Sequence, residues 1–485
     1  MRLLSKFQIL LLISSLLLPL NLIAGISIGL RTMIWPHIWQ DGEGLGEQKK
    51  LSGDKRVKWE VAVANLGKYG ELGASWNIVT VRQGVDGPDE FRRLSRVLKE
   101  HRDRGIGVVM RLVETNEMYD KLEDTAQNYG YNSKYYDWVV GLTKVAADDA
   151  DVYLVGNEVD HQRLNGKTWV DYPRYNKLLK TALLAIRAND PGASIADHGV
   201  SAFSLGIAIA QDIVKQKGLV EGFRFFKKFN YDRKNPKDLA SFKWKMEQEE
   251  SKRRAAIANA TVADSNKLDY LQFHYYHDWR VMPQVLDWLD RKMVAAGSKR
   301  PVIATEVGYR IPTKVGRAWN GRKARVADMS RYSESQHAEY LAKNFSILAS
   351  RGIDRIQYWN IRFHHNRSPT AKLFRSSRVA SVFVPSQAAV CYQLIAKSLS
   401  GTVPAPGLLA NVQGISEHRF VKTGQPGKDF SVVWTKDKPV TLQPSQISGI
   451  VNTLDISGKK LKVDPGSSIT ITQSPVILVR AGIIP

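Results

Sequence analysis

A single cysteine, Cys391, stands in 485 residues, so no intramolecular disulfide can form. It lies in "QAAVCYQLIAKSL" with no basic activator beside it, which reads as a small buried hydrophobe rather than a nucleophile. No Gly-rich phosphate loop follows any apolar run, and this removes the usual nucleotide-binding folds. Internal repeats and low-complexity tracts are also missing. Acidic residues are few beside basic ones: 47 Asp and Glu face 70 Lys and Arg, for a formal net charge of +23. Such a balance points to nucleic acid, an anionic surface or an acidic substrate. With 43% hydrophobic and 24% charged residues, the chain reads as globular, with room for one large and one small domain.

The first 24 residues place Arg2 and Lys6 before an apolar stretch from Phe7 to Leu18, then Pro19 and the small Ala24 and Gly25. That is the layout of a signal peptide spanning residues 1–24, cleaved near Ala24. An uncleaved anchor fits less well, because the next run, "ISIGL", already reads as a buried strand and leaves no linker between domain and bilayer. The expectation is therefore export, periplasmic or secreted, with no stable membrane anchor after cleavage. Nucleic acid becomes the least expected partner.

Short apolar runs then alternate with longer amphipathic segments, the pattern of parallel strands joined by helices. Eight runs stand out: Ile26–Leu30, Ile78–Val81, Gly107–Leu112, Val152–Val155, Ala193–Ala196, Tyr270–Phe273, Val302–Ala304 and Arg355–Tyr358. They predict an α/β chain whose residues 25–400 form a (β/α)8 TIM barrel. An insertion at about 200–266 interleaves aromatic residues with lysines and reads as a solvated helical arm or a substrate-gripping lid. From Thr402 to the end, residues 402–485, the texture changes to short alternating strands and predicts a small C-terminal antiparallel β-sandwich packed on the barrel.

In such a barrel the reactive groups stand where strands finish. The ends here carry Arg82, Glu114, Asn157-Glu158, Asp197-His198, the stretch "FHYYHDW", Glu306 and Trp359. Glu158 and Glu306 follow the fourth and seventh strands and should face one mouth. Two carboxylates about 5–5.5 Å apart are what double-displacement glycoside hydrolysis needs, one attacking the anomeric carbon and the other moving a proton. An acid directly behind the buried-looking run "YLVG" is expected to sit in a low-dielectric pocket that raises its pKa. The histidines His198, His274, His277, His364 and His365 match no metal-ligand spacing, and no metal or organic cofactor is expected.

On these residues the chain resembles the retaining (β/α)8 glycoside hydrolases of clan A, whose fourth strand ends in Asn-Glu and whose seventh ends in a nucleophilic Glu. The resemblance runs from about Ile26 to the C-terminus, with "SESQHAEYLAKNF" and "SSITITQSPVILV" similar to stretches of xylosidase- and iduronidase-like families. It implies Glu158 as acid/base, Glu306 as nucleophile and Asn157 as the residue on the sugar 2-hydroxyl. It also implies Arg82 as the arginine beneath the nucleophile, Tyr275 as the hydroxyl orienting it, with His274 as the neighbouring alternative, and Trp359 as the floor under the sugar. The fourth-strand motif departs by continuing as Val159-Asp160 where Asn-Glu-Pro is commoner.

Basic residues gather on the same face. Arg310 to Arg331 holds seven Lys and Arg against one acid, Asp328, and Ile361 to Ala380 holds five against none. Tryptophans follow strand ends as well, among them Trp35, Trp39, Trp169, Trp279 and Trp319, offering flat rings for sugar faces. The expected partner is a carbohydrate, an anionic polysaccharide gripped by arginines. A transglycosylase on the same scaffold and a catalytically silent glycan-binding protein are the competing readings.

Overall fold

The computed structural model describes residues 25–30, 64–82, 90–113, 133–161, 163–164, 168–229, 236–311, 313–317, 323–359, 361, 372–375, 381–425, 427–462 and 467–480. The segment read as a signal, residues 1–24, lies outside them. Among the described residues no helix is long and apolar enough to cross a membrane.

Eight parallel strands form the barrel: β1 (Ser27–Leu30), β2 (Trp76–Arg82), β3 (Gly107–Val113), β4 (Ala150–Val155), β5 (Ser194–Ala196), β6 (Leu271–Tyr275), β7 (Val302–Val307) and β8 (Arg355–Tyr358). Each overlaps one of the eight apolar runs. Their order is β5-β4-β3-β2-β1-β8-β7-β6, and the bridges Ala196–Tyr270 and Val200–Phe273 bring β5 and β6 together, so the ring is nearly closed. Parallel strands buried on both faces read as unbroken apolar runs rather than alternating ones, which is why they were visible in the sequence.

Successive residues of a strand point to opposite faces, and this parity separates two cores. Trp76, Ile78, Val109, Val152, Leu154, Ala196 and Ile303 fill the barrel interior. Their neighbours Val79, Val81, Val108, Met110, Tyr153 and Val155 face the helices. Trp76 lies against Gly29, where any side-chain carbon would collide with the indole.

The helices that follow are α1 (Glu90–Arg102), α2 (Ser133–Ala146), α3 (Tyr172–Asn189), α4 (Ala202–Lys217), α5 (Leu219–Phe229), α6 (Leu239–Glu247), α7 (Glu249–Ala263), α8 (Met282–Ala295), α9 (Glu334–Ser350) and α10 (Gln387–Leu399). Local chemistry sets several starts: the side chains of Asp171, Ser201 and Ser333 accept from the backbone N–H of Arg174, Ser204 and Gln336. Helices α4 to α7 are the insertion. Phe225, Phe226, Phe229 and Phe242 are buried there, so it packs on the barrel rather than standing out as a solvated arm. Cys391 is buried in α10 with Sγ against the Ala338 carbonyl, and burial pushes its thiol well above its usual range.

Beyond α10 the chain forms an antiparallel sheet of five strands, β9 (Thr402–Ala405), β10 (Ile415–Lys422), β11 (Asp429–Thr435), β13 (Ile450–Asp455) and β15 (Val476–Arg480), with a separate pair, β12 (Val440–Leu442) and β14 (Ile469–Ile471). Alternation on β11 shows how it docks. Phe430, Val432 and Trp434 join the barrel core, while Val433 packs with Leu409, Leu442, Ile469 and Ile471 on the other face.

Candidate active site

After Val155 the chain passes Gly156, at φ 93°, and Asn157 before Glu158 takes φ 45°, the sole positive φ among the described non-glycine residues. A side chain in this region costs about 1–3 kcal/mol and persists only where its surroundings over-determine it. Here the Glu158 N–H donates to the His198 carbonyl at 2.8 Å, and the Glu158 carbonyl accepts from the His161 N–H at 2.7 Å, closing a 3-10 turn over Val159–His161. The carboxylate is not buried as the sequence suggested. Its side chain keeps 29% exposure, because the strand ends before Glu158 and the turn lifts it into the mouth.

Glu306 is held differently. β7 carries an irregularity: Ala304 pairs with both Phe273 and Ile356, but Glu306 pairs with His274 and Val307 with Tyr358. Such an extra residue re-aims a strand end. The Glu306 carboxylate turns across the barrel to Arg111 of β3, whose Nη1 donates to Oε1 at 2.6 Å, and Tyr276 donates its hydroxyl to Oε2 at 2.7 Å. Both members of the Arg111–Glu306 pair are buried. Removing one partner of such a pair costs about 3–5 kcal/mol, since the other charge is left uncompensated.

His274 joins the two acids. Its Nδ1 lies 2.8 Å from Glu158 Oε1 and 3.5 Å from Glu306 Oε2. One oxygen of each carboxylate and this nitrogen all fall within 4.8 Å of one another. The other face of the imidazole presses on Gly199, at φ 71°, where a β-carbon would come within 2.7 Å of Nε2. The same three residues offer one donor atom each to a metal ion. Spacing along the chain did not reveal this trio because its members come from three strands. A cation there would compete with Arg111 and Tyr276, which already satisfy Glu306.

Strand ends β4, β6 and β7 thus bring together Glu158, His274 and Glu306, three of the residues singled out in the sequence. Two partners of Glu306 are new. Arg111 on β3 donates its guanidinium to it, and Arg82 stands half-buried at the end of β2. Tyr276, rather than Tyr275, is the hydroxyl on it. Parity explains the second: His274 and Tyr276 share a face, so Tyr275 points outward, is buried, donates to the Asp278 carbonyl at 2.5 Å and meets the Phe229 ring of the insertion. Asn157 stands half-buried beside Glu158, and Trp359 follows β8 half-buried with its N–H on the Val307 carbonyl at 2.8 Å. Trp279 is packed edge-on against Trp434 at 5.7 Å with Lys343 over its ring, so it joins the barrel to the C-terminal sheet. Trp35, Trp39, Trp319, Glu114, His364 and His365 lie outside the described residues, as do the side chain of Trp169 and much of the basic segments after β7 and β8.

Two further groups flank the site. Asp197 is fully buried, and burial pushes its pKa up to about 7 against the N–H donors of Gly199 and Gln272. His198 is buried beside it, and burial pushes it down to about 4.

No protein-family model and no curated protein sequence matches this chain. Solved structures do. A family 39 glycoside hydrolase from the gut symbiont Bacteroides cellulosilyticus WH2 superimposes with a TM-score of 0.54 at 13% identity, covering 94% of this chain and 81% of that one. A glucosidase from Croceicoccus marinus gives 0.46 at 9% identity, over 84% and 76%. A family 1 β-glucosidase from Thermotoga maritima gives 0.44 at 12% identity, over 77% and 97%. At 13% identity, the likeness to the family 39 enzyme shows a common fold.

Proposed function

We propose that the chain is a retaining glycoside hydrolase. The observation that carries this reading is the convergence of one Glu158 oxygen and one Glu306 oxygen to within 4.8 Å at the barrel mouth. Inverting enzymes keep their carboxyl groups about 6.5–9.5 Å apart to seat a water between them, and retaining ones about 5–5.5 Å. Glu306, holding two hydrogen bonds from Arg111 and Tyr276, has its charge compensated and its oxygens aimed, as a nucleophile must. Glu158, more exposed and in reach of His274, can exchange protons with the leaving group and then with water. Attack by Glu306 on the anomeric carbon forms a glycosyl ester while Glu158 protonates the departing oxygen. Glu158 then takes a proton from water, which releases the sugar with its configuration kept.

The substrate we infer is an acidic extracellular polysaccharide, and the protein an exported one, periplasmic or secreted. The support is the sequence: the basic segments after β7 and β8, and the apolar opening preceded by Arg2 and Lys6. The test is a screen of polysaccharides for new reducing ends, scored for anomeric configuration, with Glu306→Ala as control. Retained configuration supports the reading, and inverted configuration refutes it. Equal hydrolysis of neutral and acidic oligosaccharides of one length, with no salt dependence, refutes the acidic substrate alone. Transfer products in place of hydrolysis would mark a transglycosylase. A glycan bound with neither product would mark a silent binding protein.

A further inference from the structure

We propose that helix α7 of the insertion is a brace that holds Glu158 in its left-handed conformation, with Arg253 and Thr261 as positioning residues. The role given to Glu158 rests on the glycosidase reading, but the brace itself does not.

Glu158 is gripped through its backbone at two points, and α7 reaches both. The first is the turn after it. Arg253 donates from Nη2 to the Asp160 carbonyl and from Nη1 to the Val170 carbonyl, each at 2.7 Å, so one planar fork ties the turn after Glu158 to the start of α3. The Asp160 side chain is fully buried and accepts from the Ser201 hydroxyl, which also meets His161 Nε2 at 2.8 Å. Ser201 in turn caps α4, the first helix of the insertion.

The second point is His198, whose carbonyl accepts the Glu158 N–H at 2.8 Å. Its imidazole is fully buried, with Nε2 at 3.0 Å from Thr261 Oγ1 of α7 and Nδ1 at 4.0 Å from Asp160 Oδ1. Burial keeps this ring neutral at ordinary pH, so one nitrogen donates and the other accepts. A proton on Nδ1, toward the Asp160 carboxylate, leaves Nε2 to accept from the threonine hydroxyl.

A glutamate freed from these contacts relaxes toward negative φ, which any side chain prefers. Its Cα–Cβ bond then swings and its carboxylate leaves His274. Sugar contacts elsewhere in the mouth remain, so the cost falls on proton transfer and kcat rather than on KM.

The test has two arms on the full-length chain. In the first, Glu158→Gly and Glu158→Ala are compared by thermal unfolding in the wild-type frame and with Arg253→Ala added. Both variants lack the carboxylate, so their difference reads only the backbone. In the braced frame glycine should melt higher than alanine by roughly 1–3 °C, and without Arg253 that gap should close or reverse. In the second arm, Arg253→Ala and Thr261→Val are assayed on 2,4-dinitrophenyl and 4-methylphenyl glycosides of the sugar that the wild type releases. The 4-methylphenyl leaving group needs acid assistance, so kcat on it should fall about 10- to 100-fold with KM within about twofold, while kcat/KM on the dinitrophenyl substrate, whose glycosylation step needs no acid, is little affected. Thr261→Ser, which keeps the hydroxyl, should restore most of the loss. A glycine–alanine gap of the same size in both frames, or a kcat/KM loss equal on both substrates, overturns the proposal. A wild type that cleaves no glycoside refutes the glycosidase reading and leaves the melting comparison to decide the brace.

Discussion

Glu306, at the end of β7, is held by side chains: Arg111 at 2.6 Å on one oxygen and Tyr276 at 2.7 Å on the other, both reaching it from other parts of the barrel. Glu158, at the end of β4, is held by its main chain, with a left-handed φ, an N–H bonded to the His198 carbonyl and a carboxylate whose one hydrogen-bond partner among the described residues is His274 Nδ1. Under the proposed retaining mechanism, the contrast follows from what each task demands. A nucleophile must stay charged and aimed, so its oxygens are fixed from outside. A group that gains and loses a proton in each cycle needs its carboxylate free of permanent partners, and the precision then has to come from the backbone.

The contrast breaks most sharply under substitution of the acids themselves. Glu306→Ala should lower kcat by roughly 10⁵-fold, and no added anion should restore the retaining reaction, because no other group forms the ester. Glu158→Ala should cost about 10²–10⁴-fold on substrates with poor leaving groups, and azide should accelerate it far more than wild type by entering where water needs the base. Equal azide responses in both variants would erase the division of labour. Next comes the ion pair: Arg111→Met should destabilise the fold by about 3–5 kcal/mol in denaturant melts, leaving Glu306 buried without its cation. Tyr276→Phe removes one hydrogen bond to a charged group, and about 1.5–3 kcal/mol, or 10- to 150-fold in kcat/KM, should follow; Tyr275→Phe should leave kcat/KM nearly unchanged.

The smallest effect is a pH dependence beside the Glu158 turn. Asp197 holds a pKa of about 7 in the fold against 3.8 for the free side chain, so the native state keeps a proton that the unfolded chain loses between those values. Its contribution to stability is therefore present below about pH 4 and lost as pH rises to about 7. The melting temperature of Asp197→Asn relative to wild type should climb across that interval and level off above it.

How much of this was legible depends on what each signal rests on. The eight strands were readable because burial on both faces leaves unbroken apolar runs, and the two glutamates because they directly follow such runs. Arg111 carried a signal that went unused: it is the one charge inside the buried strand "GVVMRLV", and a charge so placed demands a partner. Tyr276 could not be told from Tyr275, since that choice rests on strand parity and the irregularity in β7, which no local pattern announces. The insertion read as a solvated arm or a lid, yet within it Arg253 and Arg254 turn inward to the Asp160 carbonyl and the Ser204 hydroxyl. Interactions that bring distant segments together are what a linear pattern hides.

The most direct test is to trap the covalent adduct with a 2-deoxy-2-fluoro glycoside of the sugar released in the polysaccharide screen, then to map the labelled peptide by mass spectrometry. The expected result is one glycosyl group on Glu306, with none on Glu158. Label on another residue, or full turnover accompanied by inverted product and no adduct, would contradict the assignment of these two carboxylates.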